Sequence, residues 1–185
     1  MAKLVSKTYG DALYELGVEQ NNLDELYREV MLVVRVLNEN PKFSKIMNHP
    51  KIVKEEKEAV MEEAFKGRVC DELTGFLKLI ISKNRYADID AILNYFILRY
   101  KEYKKIGIAY VSTPLPLNEI QKSEIMDCLI RTTSYEQMEM SYEIDPSLIG
   151  GMVIRIGDKV VDSSVKSKLN ALSKELMKIQ LSSAE

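Results

Sequence analysis

Residues 145–165 read DPSLIGGMVIRIGDKVVDSSV, and this stretch sets the character of the C-terminal half. Asp145-Pro146 is a turn pair. Two short apolar runs, 152–156 and 159–161, flank Gly157-Asp158, which predicts a β-hairpin. Gly150-Gly151 marks a bulge or a tight backbone approach at the entry to the first of these strands. It is not a dinucleotide-binding loop, because the GxGxxG spacing is missing and no helix follows. Asp162-Ser163 reads as a helix N-cap. Beyond it Val165, Leu169, Leu172, Leu176 and Ile179 recur at steps of four and three, a seam two heptads long. The expected use of that seam is packing on the small sheet.

Upstream of the hairpin, Met138, Met140, Tyr142 and Ile144 alternate with Glu139, Ser141 and Glu143, the period of a half-buried strand. Residues 118–132 carry Ile120, Ile125, Met126, Leu129 and Ile130 and read as a helix. Residues 108–113 read as a strand that ends at Pro114-Leu115-Pro116. The texture changes at Ile106-Gly107. Before it, apolar residues recur at helical spacing, as in Leu23, Leu26, Tyr27, Val30, Met31, Val34 and Leu37. Asn40-Pro41, His49-Pro50, Gly67 and Asn84-Arg85-Tyr86 are the breaks. Six helices are predicted, at about 4–19, 22–39, 41–47, 51–66, 70–84 and 86–105. The expected architecture is mainly α. A six-helix bundle over 1–105 precedes a small α/β domain over 106–185, with a few-stranded sheet and two helices.

The 185 residues carry 26 Lys+Arg against 28 Asp+Glu, a net charge of -2. Residues 1–105 hold 18 basic and 17 acidic side chains, and the rest hold 8 and 11. Neither half is a basic surface of the kind that gives nucleic acids their affinity. The longest unbroken apolar run is 30–34, far short of the ~20 residues that span a bilayer. No signal-peptide run opens the chain. Two cysteines far apart, Cys70 and Cys128, make a disulfide framework or zinc site unexpected and fit a reducing compartment.

Catalytic patterns are missing from the sequence. It has no GxSxG, HExxH or Walker A loop. The single histidine, His49, stands before Pro50 in a loop and suits a surface or capping role. Cys70 opens a helix, where the dipole could lower its pKa, but burial is the commoner fate of such a thiol. Glu55-Glu56 and Glu62-Glu63 sit among lysines as a solvated, paired face. The first helix, with Leu4, Val5, Tyr9, Ala12, Leu13 and Leu16, is apolar on more than a narrow stripe. So is the fifth, with Leu73, Phe76, Leu77, Leu79, Ile80 and Ile81. Either both are central core helices, or together they leave a groove for an amphipathic helix from another protein.

Several segments resemble one family. Residues 9–16 (YGDALYEL) are similar to the opening helix of the F-type ATP synthase delta subunit, the oligomycin-sensitivity-conferring protein of mitochondria. Asn40-Pro41, 76–85 (FLKLIISKNR), 111–117 (VSTPLPL) and, most specifically, 145–165 follow in the family's order. Gly10 departs from the small helix former usual there, at about 1 kcal/mol of helix propensity, and Asp11 adds a charge beside it.

The resemblance implies a non-catalytic stator connector without cofactor or metal. Its partners would be the N-terminal helix of the alpha subunit, taken up between the first and fifth helices, and the C-terminal end of the b subunit. The linkage would resist rotor torque during proton-driven ATP synthesis. The chain would then be a peripheral member of a hetero-oligomeric complex on the cytoplasmic side of the cell membrane, with no insertion of its own and no nucleic-acid partner. The residues expected to line the groove are Val5, Tyr9, Ala12, Leu13, Leu73, Leu77, Ile80 and Ile81. An RNA-binding helical bundle is the alternative, motivated only by the size and helicity of the N-terminal half.

Overall fold

The computed structural model describes residues 2–182, with side chains for 4–174. The chain divides into two compact units, Met1–Tyr103 and Lys104–Glu185. The first unit holds α1 (Ala2–Glu19), α2 (Leu23–Glu39), α3 (Pro41–Met47), α4 (Lys54–Phe65), α5 (Asp71–Ser82) and α6 (Ile89–Tyr103). A single 3-10 turn, Tyr86–Asp88, leads into α6.

Two asparagines stop two of these helices in the same way. Asn21 and Asn84 adopt φ of 58° and 55°. The amides of Asn21 and Asn22 donate to the carbonyls of Val18 and Gly17, and those of Asn84 and Arg85 to Ile81 and Ile80. Each is a Schellman closure, with asparagine in the left-handed position that glycine usually takes. Pro41 sits at the start of α3, where its missing N–H leaves no bond unmade. The fourth helix begins at Lys54, later than the expected 51. The cause is local: the Lys51 amide donates to His49 Nδ1 at 3.2 Å, and Val53 stays extended as the N-cap. A carboxylate from α2 serves the start of α5, where Glu29 accepts from the Cys70 amide with both oxygens at 3.0 Å.

The buried line of α2 runs through Leu23, Leu26, Val30, Val33 and Leu37. The expected stripe held Met31 and Val34 instead of Val33; Met31 is exposed and Val34 half-buried. The bundle core includes Leu13, Leu26, Met61, Phe65, Leu93 and Phe96. The first helix packs most extensively on α6. That contact explains the two departures noted in the first helix. A Cβ on Gly10 would stand 2.4 Å from Tyr95 Cδ1, so the glycine makes room for the tyrosine ring. The Tyr95 hydroxyl then donates to Asp11 Oδ1 at 3.1 Å, and Arg99 Nε meets the same oxygen at 3.3 Å.

The second unit holds β1 (Ile106–Thr113), α7 (Glu119–Thr132), β2 (Gln137–Ile144), β3 (Val153–Ile156), β4 (Lys159–Asp162) and α8 (Val165–Ser182). The sheet order is β2-β1-β3-β4. β1 and β2 are parallel, joined through α7 as a parallel pair requires. β1–β3 and β3–β4 are antiparallel. Asn118 and Gln121 form a reciprocal capping box at the start of α7. The register places Ala109, Met138, Met140, Ile154 and Ile156 under Ile125, Met126, Leu129 and Ile130 of α7.

Gly151 does mark a tight approach. Its φ is +75°, and a Cβ there would lie 2.4 Å from the Ser163 carbonyl oxygen. The N-cap of α8 falls one residue beyond the expected Asp162-Ser163. Ser164 Oγ accepts from the Ser167 amide at 3.2 Å, and Asp162 supports it by accepting from the Ser164 amide at 2.9 Å and the Ser167 hydroxyl at 2.5 Å.

Candidate docking faces on the two units

The first and fifth helices meet edge to face through Tyr9 and Phe76, with centroids 6.5 Å apart at 67°. The eight residues expected to line a groove divide sharply. Leu13, Leu73, Leu77 and Ile80 are 0% exposed and Ile81 is 2% exposed, so these five belong to the bundle core. Val5 and Tyr9 are half-buried and Ala12 is exposed. The accessible apolar surface is completed by residues outside that set. On α1 they are Leu4, 71% exposed, and half-buried Leu16; on α5 it is Leu79, 45% exposed. Val5, Tyr9, Ala12 and Leu16 follow at steps of four, three and four, so they form one face of α1. Gly75 and Leu79 share a face of α5 in the same way. Leu79 could have been picked out by helical angle, because it lies about 100° or more around the helix from each of Leu73, Leu77 and Ile80.

Gly75 lies mid-helix, where glycine costs about 1 kcal/mol against alanine. A Cβ there would meet nothing within 4 Å. Glu15 and Glu19 border the α1 face on its solvent side, and Glu72 precedes Phe76 by one turn. None of these three carboxylates makes an ion pair among the described residues.

The second unit carries its own uncovered apolar surface. Val165, Leu169 and Leu172 of α8 are 37%, 52% and 56% exposed. The seam does not pack on the sheet as expected, because α7 already covers the buried sheet face and α8 rests on the turn at Pro146–Leu148. The side chains of Leu176 and Ile179 fall outside the described residues. Ile149 and Val161 add further exposed apolar area near the start of α8. For an isolated chain such surface is a liability, and it commonly marks an interaction site.

Two of the groups weighed for chemistry, Cys70 and His49, sit in local structural roles. Burial first, and then the Glu29 carboxylate, push the Cys70 thiol up to about 12, opposite to the activation that a helix start could give. Cys128 is exposed and free. His49 holds its own turn. Among the described residues, no group of three or more His, Cys, Asp or Glu is placed so that it could hold a metal ion. No helix among them is long and apolar enough to cross a membrane.

Comparison with known proteins identifies the family of the chain. A family model described as ATP synthase delta (OSCP) subunit matches residues 5–176. ATP synthase subunit delta of Lachnoclostridium phytofermentans is 55% identical over 181 residues, covering 98% of this chain and 100% of that one. Its namesake from Alkaliphilus oremlandii is 32% identical over 179 residues, covering 97% and 99%. Among solved structures, a chain of the Toxoplasma gondii mitochondrial ATP synthase hexamer shares the fold, with a TM-score of 0.74 at 16% identity, over 93% of this chain and 97% of that one.

Proposed function

The chain belongs to the ATP synthase delta (OSCP) subunit family, and from that premise we propose that it is a non-catalytic stator connector. Its helical unit takes up the N-terminal helix of the alpha subunit on the α1/α5 face. Its α/β unit holds the C-terminal end of the b subunit, with the α8 seam as the contact. The chain sits peripherally on the cytoplasmic side of the cell membrane, held there through the complex. Joined in this way, the head resists the torque of the rotor, so rotation drives ATP synthesis instead of turning the head. The observation that carries the reading is one uncovered apolar face on each unit, Val5, Tyr9 and Leu79 on the first and Val165, Leu169 and Leu172 on the second. A connector needs two such faces and no reacting group.

The test uses the full chain and two probes, a peptide of the alpha N-terminal segment and a soluble C-terminal fragment of b. Leu79→Asp places a charge on the α1/α5 face, and Leu169→Asp places one on the α8 seam. Both sites are exposed, so far-UV helicity should hold. Leu79→Asp should weaken binding of the alpha peptide at least tenfold and leave b binding intact, and Leu169→Asp should do the reverse. Binding of either probe that neither substitution alters would refute the assignment of the faces.

A further inference from the structure

We infer that the α1/α5 face receives a helix whose apolar stripe is bordered by lysine or arginine, and that this helix comes closest to the chain at Gly75. The inference rests on the docking reading above and adds to it the chemistry of the incoming segment and its point of contact.

Gly75 is the fifth residue of the twelve-residue α5. Glycines elsewhere in the chain have an internal reason. Gly10, Gly107 and Gly151 would each bring a Cβ within 3.0 Å of a neighbouring atom, and Gly151 also has a positive φ. Gly75 has neither a left-handed backbone nor a crowded neighbour; the space above it is open. A mid-helix glycine weakens its helix, and nothing among the described residues accounts for this one. The open space is a notch in the exposed side of α5. It lies one turn before Leu79 and next to Phe76, whose ring meets Tyr9. A large apolar side chain of a partner helix can seat in such a notch and bring the two backbones together, which a Cβ would prevent.

The border of the face identifies the occupant by charge. Glu15 and Glu19 flank it on α1 without an ion pair among the described residues, and Glu72 flanks it on α5, where the Cys70 thiol is its hydrogen-bond partner. Lys83 is the cation at the C-terminal end of α5. A segment with cations beside its apolar stripe satisfies these carboxylates, whereas an acidic segment brings like charges together.

The experiment measures binding to the full chain by calorimetry at low and at high salt. The probes are the alpha N-terminal peptide and two designed helical peptides with the same apolar pattern, one with Lys/Arg flanks and one with Glu flanks. The cationic peptide should bind at least tenfold more tightly than the acidic one, and salt should shrink the difference. Gly75→Ala should raise the Tm by roughly 2–4 °C and weaken the alpha and cationic peptides about tenfold. Glu15→Gln with Glu19→Gln should remove most of the salt dependence. Unchanged affinity in Gly75→Ala, or equal binding of the two designed peptides, would overturn the inference. If the alpha peptide binds and responds to Leu79→Asp but not to Gly75→Ala, only this inference fails. If the alpha peptide does not bind the unaltered chain at all, the docking reading fails with it.

Discussion

Helix propensity and packing make opposite predictions for Gly10→Ala, and the structure says which wins. On propensity alone, alanine in the interior of α1 should stabilise the chain by about 1 kcal/mol. Against that, the new Cβ would lie 2.4 Å from Tyr95 Cδ1 and 3.3 Å from the Ile92 carbonyl oxygen. A ring wedged between two helices cannot retreat like the end of a lysine, and overpacking of this kind costs about 1–3 kcal/mol. Moving the ring also strains the bond from its hydroxyl to Asp11 at 3.1 Å, worth about 1 kcal/mol in a partly exposed setting. The net expectation is destabilisation by about 1–3 kcal/mol. For a chain of this length that lowers the Tm by roughly 2–12 °C. Urea and thermal unfolding of the full chain, followed at 222 nm, would measure it. A double-mutant cycle identifies the cause: in a Tyr95→Ala background the penalty should vanish and Gly10→Ala should become neutral or stabilising. A gain of about 1 kcal/mol in the unaltered background would refute the reasoning, because the ring would then be yielding freely.

Three further outcomes are expected. With its thiol pushed up from 9.0 to about 12, Cys70 holds a roughly thousandfold smaller thiolate fraction at pH 8 than an ordinary cysteine. Iodoacetamide should therefore modify Cys128 first, and Glu29→Gln should speed the labelling of Cys70. The hydroxyl of Ser167 and the amide of Ser164 hold the Asp162 carboxyl below its ordinary 3.8. Because the folded-state value is the lower one, this contribution is fully present above about 3.8 and is lost as the pH falls through the folded value; acid titration followed by circular dichroism should show α8 losing helicity in that window, and Asp162→Ala should abolish the step. Gly151→Ala combines a φ of +75° with a Cβ 2.4 Å from the Ser163 carbonyl oxygen, so it should destabilise the second unit by at least about 2 kcal/mol, read as a fall in its urea midpoint.

Much of the architecture can be read locally because local chemistry sets it. The hairpin of β3 and β4 follows from Gly157-Asp158 between two apolar runs, and the strand β2 follows from the alternation of Met138, Met140, Tyr142 and Ile144. Asn84 stops α5 through its own backbone conformation, which needs no distant partner. The boundaries that shifted did so through bonds the pattern does not carry, such as the Lys51 amide to His49 that delays α4.

The docking faces were only half legible, and the reason is geometric. A helix apolar around much of its circumference does not declare which side its neighbours cover. Leu77 and Leu79 are alike in sequence, yet one is 0% and the other 45% exposed, because α2 and α4 pack on one side of α5 and leave the other open. The same holds for Val165, Leu169 and Leu172, a seam whose spacing asks for a partner without saying whether the sheet supplies it; α7 had already taken that place. The sequence by itself determined the order and type of the elements, the family, and the choice of α1 and α5 as the pair to watch. Only the tertiary structure decided which residues of that pair remain outside. It also explained Gly10 through Tyr95, 85 positions away. Local conformation depends on neighbours in the chain, whereas exposure depends on what folds against a residue from elsewhere.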